Sequence, residues 1–376
     1  MIYLDNAATT QPSRALLDIY QRLESDFFAN VNSNHQAGRS AEKYLLKART
    51  IILEALTVDA SHRAIFVSSA TEANNLALKG FALKHQNRGK HIIISNIEHP
   101  SVYESVIQLR DQFGFEVTVL HVNHKGQVRP EDVRAALKKT TIIVSIMAVN
   151  NEVGSLNPIK EIAAIVHRHS KAVLHVDTTQ AIGKISLPYQ DIDMFCISGH
   201  KINALKGSGA LIFKKTIDFL PLLSGGNQEF GFRSSTVSVA LAYTLAIATK
   251  EAIRDQQKVT THVASLSSYV RSYFAKQDNI VINSPDSSSP YIFNFSLTDK
   301  KASVVVEALS NEGIMISSVS ACHHKLATSS YVVKALGRSE ELANNTLRIS
   351  FDKMTKLEDI QTFIEAYEAV IVRIRT

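Results

Sequence analysis

Short apolar runs recur through the first two hundred residues. The segments 64–68, 91–95, 116–121, 141–146, 172–176 and 194–197 are rich in Val, Ile, Leu, Phe and Ala, and polar or turn residues bound each of them. Runs of that length read as strands buried on both faces. The stretches between them, 72–84, 102–112, 130–137 and 160–169, carry helical patterns. Alternation of strand and helix predicts a largely parallel sheet covered by helices on both sides. Such sheets take ligands at the carboxyl ends of their strands, so the polar residues just after each run are the ones to weigh. From 239 to 277 the pattern turns mostly helical, as expected of a link between two domains. Beyond it, 291–297, 315–319 and 346–351 read as strands alternating with helices, a smaller α+β domain beginning near 255.

Length agrees with two cores, because 376 residues exceed what one small domain usually contains. The longest apolar runs, such as 141–149, fall well short of the roughly 20 residues that cross a bilayer. The amino terminus has neither a basic leader nor an apolar signal core, so a cytoplasmic location is expected. Two cysteines, Cys196 and Cys322, argue against a disulfide framework. The net charge of +6 comes from scattered lysines and arginines. That is an ordinary solvated surface, and direct nucleic-acid binding is not expected.

Chemistry concentrates after the strands. Lys201 ends Ser198-Gly199-His200-Lys201, directly behind the apolar run 194–197. A lysine at a strand exit can project into the ligand crevice, where desolvation favours the neutral amine that forms an imine with an aldehyde. A plain surface-turn lysine is the competing reading. Asp177 ends another apolar run; a buried carboxylate needs a partner, and a protonated pyridine nitrogen is one. It could equally cap the next helix. Gln180 follows three residues later, where it could reach a ring oxygen or the lysine imine. The turn Ser68-Ser69-Ala70-Thr71-Glu72 opens a helix, and helix N-termini suit phosphates, although a simple cap accounts for it as well. His99 could stack on a pyridine ring and shuttle protons, and Asn151 could donate to a phenolic oxygen. Together these features place a lysine, a carboxylate, a phosphate turn, a histidine and an amide after five strands of one sheet.

The chain resembles the cysteine desulfurases of the NifS/IscS type, within the class-V aminotransferases of pyridoxal-phosphate (PLP) fold type I. The resemblance is carried by residues 3–10, Ala70-Thr71-Glu72, Glu98-His99, residues 149–154, His175-Val176-Asp177, Ser198-Gly199-His200-Lys201, Arg233-Ser234-Ser235-Thr236, Ser320-Ala321-Cys322 and Leu347-Arg348. It implies a large domain over 14–254 built on a mostly parallel seven-stranded sheet. Residues 1–13 and 255–376 would form a small α+β domain carrying the cysteine loop. It further implies that Lys201 holds pyridoxal 5'-phosphate as a Schiff base, Asp177 pairs the ring nitrogen and His99 stacks on the ring. Asn151 and Gln180 would meet the ring oxygen, and Thr71, Ser198, His200 and the Ala70 backbone the phosphate. Thr236 would reach the phosphate of a neighbouring subunit in a homodimer, and Arg348, assisted by Asn30 and Asn151, would grip the carboxylate of L-cysteine. Cys322 would take the substrate's sulfur as a persulfide, leaving alanine, and deliver it to an acceptor protein of tRNA thiolation or iron–sulfur assembly. Cys196, inside an apolar run, reads as an ordinary buried thiol.

The residues depart from the family in their glycines. Ser69, Asn227, Ser235 and Ala204 stand where the family has glycine, and His323-His324-Lys325 follows Cys322. A lost glycine matters where the backbone needs positive φ. Two alternatives stay open on sequence: another PLP reaction, such as an aminotransferase or selenocysteine lyase, or a weakened scaffold of a sulfur relay. A metal site at Cys322-His323-His324 is not expected, because adjacent loop side chains converge poorly on one ion.

Overall fold

The computed structural model describes residues 1–318 and 329–374, so Cys322 and its neighbours lie outside the described residues. The chain begins with β1 (Ile2–Tyr3) and two helices, Arg14–Asp26 and Gln36–Ala55. A seven-stranded sheet follows: β2 (His62–Val67), β3 (His91–Ser95), β4 (Glu116–Leu120), β5 (Thr141–Ser145), β6 (Val173–Val176), β7 (Met194–Ser198) and β8 (Gly209–Lys214). Their spatial order is β2-β8-β7-β6-β5-β3-β4. Strands β3 to β7 run parallel, and β8 lies antiparallel between β2 and β7. Alternate residues face opposite sides, as the strand period of two requires. Ile93, Val144, Leu174, Phe195 and Ile212 enter one core, while Ile92, Ile94, Ile143, Cys196 and Leu211 enter the other.

A second unit is antiparallel, in the order β12 (Ser317–Ser318), β13 (Thr346–Ser350), β10 (Ile292–Leu297), β9 (Ile280–Ile282). Beside it β1 pairs in parallel with β11 (Ile314–Met315). Its core gathers Leu4, Ala7, Phe274, Phe293, Phe295 and Phe363. Burying each such ring contributes about 1.5–3 kcal/mol. The first residues of the chain are therefore packed with its last hundred. Helix Val239–Phe274 joins the units, placing Ala242 and Leu245 in the large core and Val263 and Phe274 in the small one.

The predicted strands are present, 91–95 with the same ends and the others shifted by one or two residues; the 315–319 run is interrupted at Ile316, and residue 319 lies outside the described residues. Strand β8 is an addition to the predicted set. Gly209 within it is required: a Cβ there would sit 2.8 Å from the Ser69 carbonyl carbon. The bare backbone lets the 68–71 turn close over the end of β8. The predicted helix 72–84 is one continuous rod with a π-helical middle, Leu76–Gly80, between Ala70–Asn75 and Phe81–His85. Among the described residues no helix is long and apolar enough to cross a membrane.

Candidate active site

The strand ends converge on a cavity of about 540 Å³. Of the residues singled out from the sequence, Ala70, Thr71, His99, Asn151, Asp177, Gln180, Ser198, His200, Lys201 and Arg348 all line it. Two do not. Asn30 is exposed, and its Oδ1 accepts from the backbone N–H of Asn32 at 3.0 Å. Thr236, also exposed, lies in a separate groove with Ser68, Gly207 and Arg233.

Lys201 ends a short turn, Gly199–Lys201, that β7 feeds directly into the cavity. Its Nζ donates to the carbonyl oxygens of Ala7 (2.6 Å) and Ala8 (2.7 Å). Those oxygens solvate an amine without supplying a full counter-charge. Burial lowers the Lys201 pKa to about 7, with Lys184 and Arg348 adding repulsion that Asp5 and Asp177 only partly offset. A large share of the amine is consequently neutral near pH 7, the form that condenses with an aldehyde.

Asp177, 4% exposed, follows β6. Its Oδ1 accepts from Thr179 N (2.9 Å) and its Oδ2 from Asn74 Nδ2 (2.9 Å). Burial alone would raise its pKa; His99 and these hydrogen bonds outweigh that and hold it below the usual carboxylate value. An ionised carboxylate is thus fixed in the cavity wall. His99 caps helix Pro100–Phe113, its Nδ1 accepting from Ser101 N at 3.1 Å. Ser101 Oγ, 2.9 Å from that nitrogen, also accepts from Asn74 Nδ2 at 2.9 Å, so one hydrogen-bonded chain links His99 to Asp177.

At the 68–71 turn the helix cap is formed, and Ser69, Ala70 and Thr71 face the cavity. Ser69 Oγ caps the helix by accepting from Glu72 N, and the same turn lines the cavity. Glu72 accepts from Ser68 N and Ser68 Oγ and pairs with Arg233 at 2.8 Å, which ties the turn in place. His200 is held neutral, its pKa lowered to about 4 by burial and by Lys201, Lys206 and Lys184.

Across the cavity Arg348, on β13, is 4% exposed. Its guanidinium donates to Asn151 O (2.9 Å) and Asp5 Oδ1 (2.8 Å). A planar, fixed-charge fork on the cavity wall suits a carboxylate ligand. Among the described residues, the buried Arg348 Nε and Asn151 Oδ1 have no hydrogen-bond partner.

The reading of the sequence misses several members of the site. The Ala7 and Ala8 carbonyls and Asp5 come from the amino-terminal segment, whose place in the family resemblance, residues 3–10, is the signal available. Glu98 and Glu152 are buried carboxyls whose pKa values burial raises to about 8 and about 7. Glu152 lines the cavity and accepts from Ser330 Oγ at 2.5 Å.

These residues fit PLP on their own geometry: a lysine amine largely neutral near pH 7, an ionised buried carboxylate, a donor-rich helix-opening turn and an arginine guanidinium share one cavity. Fold and site define a PLP-dependent enzyme of fold type I. Comparison with known proteins narrows the class. The chain matches the class-V aminotransferase family over residues 2–363. It is 35% identical over 375 residues to a NifS/IcsS protein homolog of Lactobacillus delbrueckii subsp. bulgaricus, covering 98% of this chain and 97% of that one. It is 34% identical over 379 residues to the cysteine desulfurase IscS of Dictyoglomus turgidum, covering 100% of this chain and 95% of the relative. A solved NifS-like protein superposes with a TM-score of 0.92 at 30% identity, covering 99% of this chain and all of the other. The chain belongs to the class-V aminotransferases, in their NifS/IscS cysteine desulfurase branch. Its cofactor is PLP and its activity that of a cysteine desulfurase.

Proposed function

We propose that the cavity takes L-cysteine and that Cys322 relays its sulfur, as a persulfide, to an acceptor protein. The observation that carries this reading is that the largely neutral Lys201 amine and the Arg348 guanidinium line one cavity. Lys201 would hold PLP. Of the residues lining the cavity, Asp177 would pair the ring nitrogen, His99 would stack on the ring, Asn151 and Gln180 would meet the ring oxygen, and Ala70, Thr71, Ser198 and His200 would hold the phosphate. Bound there, PLP supplies an electron sink for the substrate's α-carbon. Arg348 receives the substrate carboxylate, its guanidinium oriented by Asp5 and Asn151 O. Lys201, freed from its carbonyl partners, moves the α-proton.

Both flanks of the Cys322 segment are fastened to this cavity. Ser317 pairs with Arg348 across β12 and β13, and Ser330 Oγ donates to Glu152. In the transfer the substrate's C–S bond breaks and its sulfur bonds to the Cys322 thiolate. The carbon skeleton takes up a proton and leaves as alanine. Cysteine plus thiolate become alanine plus persulfide, with no external oxidant needed. Sulfur then passes to a protein of tRNA thiolation or iron–sulfur assembly in the cytoplasm. Thr236 serves a neighbouring subunit of a homodimer; Leu220, Leu222, Leu223 and Phe230, all exposed on this chain, offer apolar surface for such a contact.

L-Cysteine and a reductant should yield alanine and sulfide in equal amounts. Cys322→Ala should lose sulfide release while keeping the visible absorbance of bound cofactor. Undiminished sulfide in that variant, or amino transfer to a keto acid without sulfide, contradicts the reading.

A further inference from the structure

We propose that Lys184 is a positioning residue of the site, fixing the Gln180 amide as a donor toward the cavity and setting the electrostatic field at the Lys201 amine. Lys184 lies four residues after Gln180, and its Nζ donates to Gln180 Oε1 at 2.9 Å. The other end of that amide, Nε2, donates to Ala7 O at 2.9 Å, the same oxygen that Lys201 Nζ contacts at 2.6 Å. Lys184, Gln180, Ala7 and Lys201 thus form one continuous chain of hydrogen bonds. Flipping the amide would set its oxygen against the Ala7 carbonyl and its NH₂ against an ammonium, two repulsive pairings in place of two bonds. Lys184 therefore decides which face Gln180 presents. The second N–H of Nε2 is left for the cavity that Gln180 lines, and it matches an anionic oxygen on the ligand.

Lys184 is held independently of the site. Thr260 Oγ1 donates to its backbone carbonyl at 3.1 Å, and its Nζ lies 5.7 Å from the Tyr291 ring centre. Burial lowers its pKa to about 8, Asp352 opposing and Arg348 assisting, so it stays mostly charged at neutral pH. The charges facing Lys201 are the cations Lys184 and Arg348 and the anions Asp5 and Asp177, with His200 adjacent and neutral. Among the cations Lys184 acts most strongly on the Lys201 amine.

The inference rests on the reading that Lys201 is the PLP lysine, and the experiment separates the two. In cofactor-free full-length protein, formaldehyde is trapped on Lys201 by cyanoborohydride across a pH series and quantified by peptide mass. In Lys184→Met the pH midpoint of labelling should move up by about half a unit or more, and Lys184→Arg should restore it. If Lys184→Met does not fold, Lys184→Gln, equally uncharged, is read in the same way. PLP affinity is measured alongside. Lys184→Met should weaken it about tenfold, with little further loss in a Gln180→Ala background. Equal midpoints in wild type and Lys184→Met, or fully additive losses with Gln180→Ala, overturn the role of Lys184. Failure of the wild-type Lys201 to label at all instead overturns the cofactor-site reading beneath it.

Discussion

Among the four glycines replaced in this chain, one replacement leaves a mark on the backbone. Ser69 sits at φ −169°, an extended conformation open to any residue, and Asn227 at φ −88° is equally relaxed. Ala204 is not among the residues with positive φ, whereas Ser235 has φ 148°. A non-glycine residue there costs on the order of 1–3 kcal/mol. Ser235→Gly should accordingly stabilise the protein by about 1 kcal/mol, the exposed Arg233–Ser235 contact that it removes contributing little. Urea unfolding at neutral pH measures this, and an unchanged or lower midpoint speaks against the strain. Arg348 permits a second test. Its planar fork bonds Asp5 and Asn151 O at once while lining the cavity, which a lysine ammonium cannot reproduce. Arg348→Lys should raise KM for L-cysteine about tenfold or more, corresponding to about 1.4 kcal/mol, while PLP binding stays near wild type. A KM equal to wild type removes Arg348 from carboxylate recognition.

At the scale of elements, legibility followed chemistry. Strands β3 to β7 were readable because each is a short apolar run ending in polar residues, and that rule also located Thr71, His99, Asn151, Asp177 and Lys201. Strand β8 escaped because its glycine-rich entry, Gly207-Ser208-Gly209, reads as a turn. Helix Gln36–Ala55 escaped because its buried stripe begins with small residues, Gly38 and Ala41, which a hydrophobic period barely registers. Glu98, between β3 and helix Pro100–Phe113, was overshadowed by its neighbour His99. Its Oε1 accepts from Ser95 Oγ (2.5 Å) and Met147 N (3.0 Å), while its buried Oε2 has no partner among the described residues. With a folded-state pKa of about 8 against an ordinary 4.5, the folded protein keeps a proton that the unfolded chain has released. Stability contributed by neutral Glu98 is therefore full below about pH 4.5 and drains away as pH rises toward 8. Glu98→Gln keeps the acceptor oxygen and removes the titration. Its stability relative to wild type should climb from pH 5 to pH 8 and level off above, as read from urea midpoints at pH 5, 7 and 9. A constant difference across that range contradicts a neutral buried Glu98.

Taken whole, the molecule builds its site across two packed units. Lys201 and Asp177 stand on the seven-stranded sheet and Arg348 on the antiparallel one. Between them passes the amino-terminal segment, anchored by β1 and Leu4 in the small core, delivering Asp5 to Arg348 and two carbonyls to Lys201. This segment was recognisable as a family pattern, but its role was not legible. Backbone carbonyls carry no sequence signature, and their partner is more than 190 residues away. Asp5→Asn should loosen Arg348 without touching the cofactor wall, raising KM for L-cysteine while the visible spectrum of bound cofactor is unchanged. A spectral shift in place of a KM effect would mean that the two halves of the site are not separable in this way. The most direct measurement is borohydride reduction of the PLP-loaded enzyme followed by peptide mapping. Attachment of the reduced cofactor at residue 201 is the result expected from the buried, largely neutral amine; a label on any other lysine, or none, contradicts the account at its base.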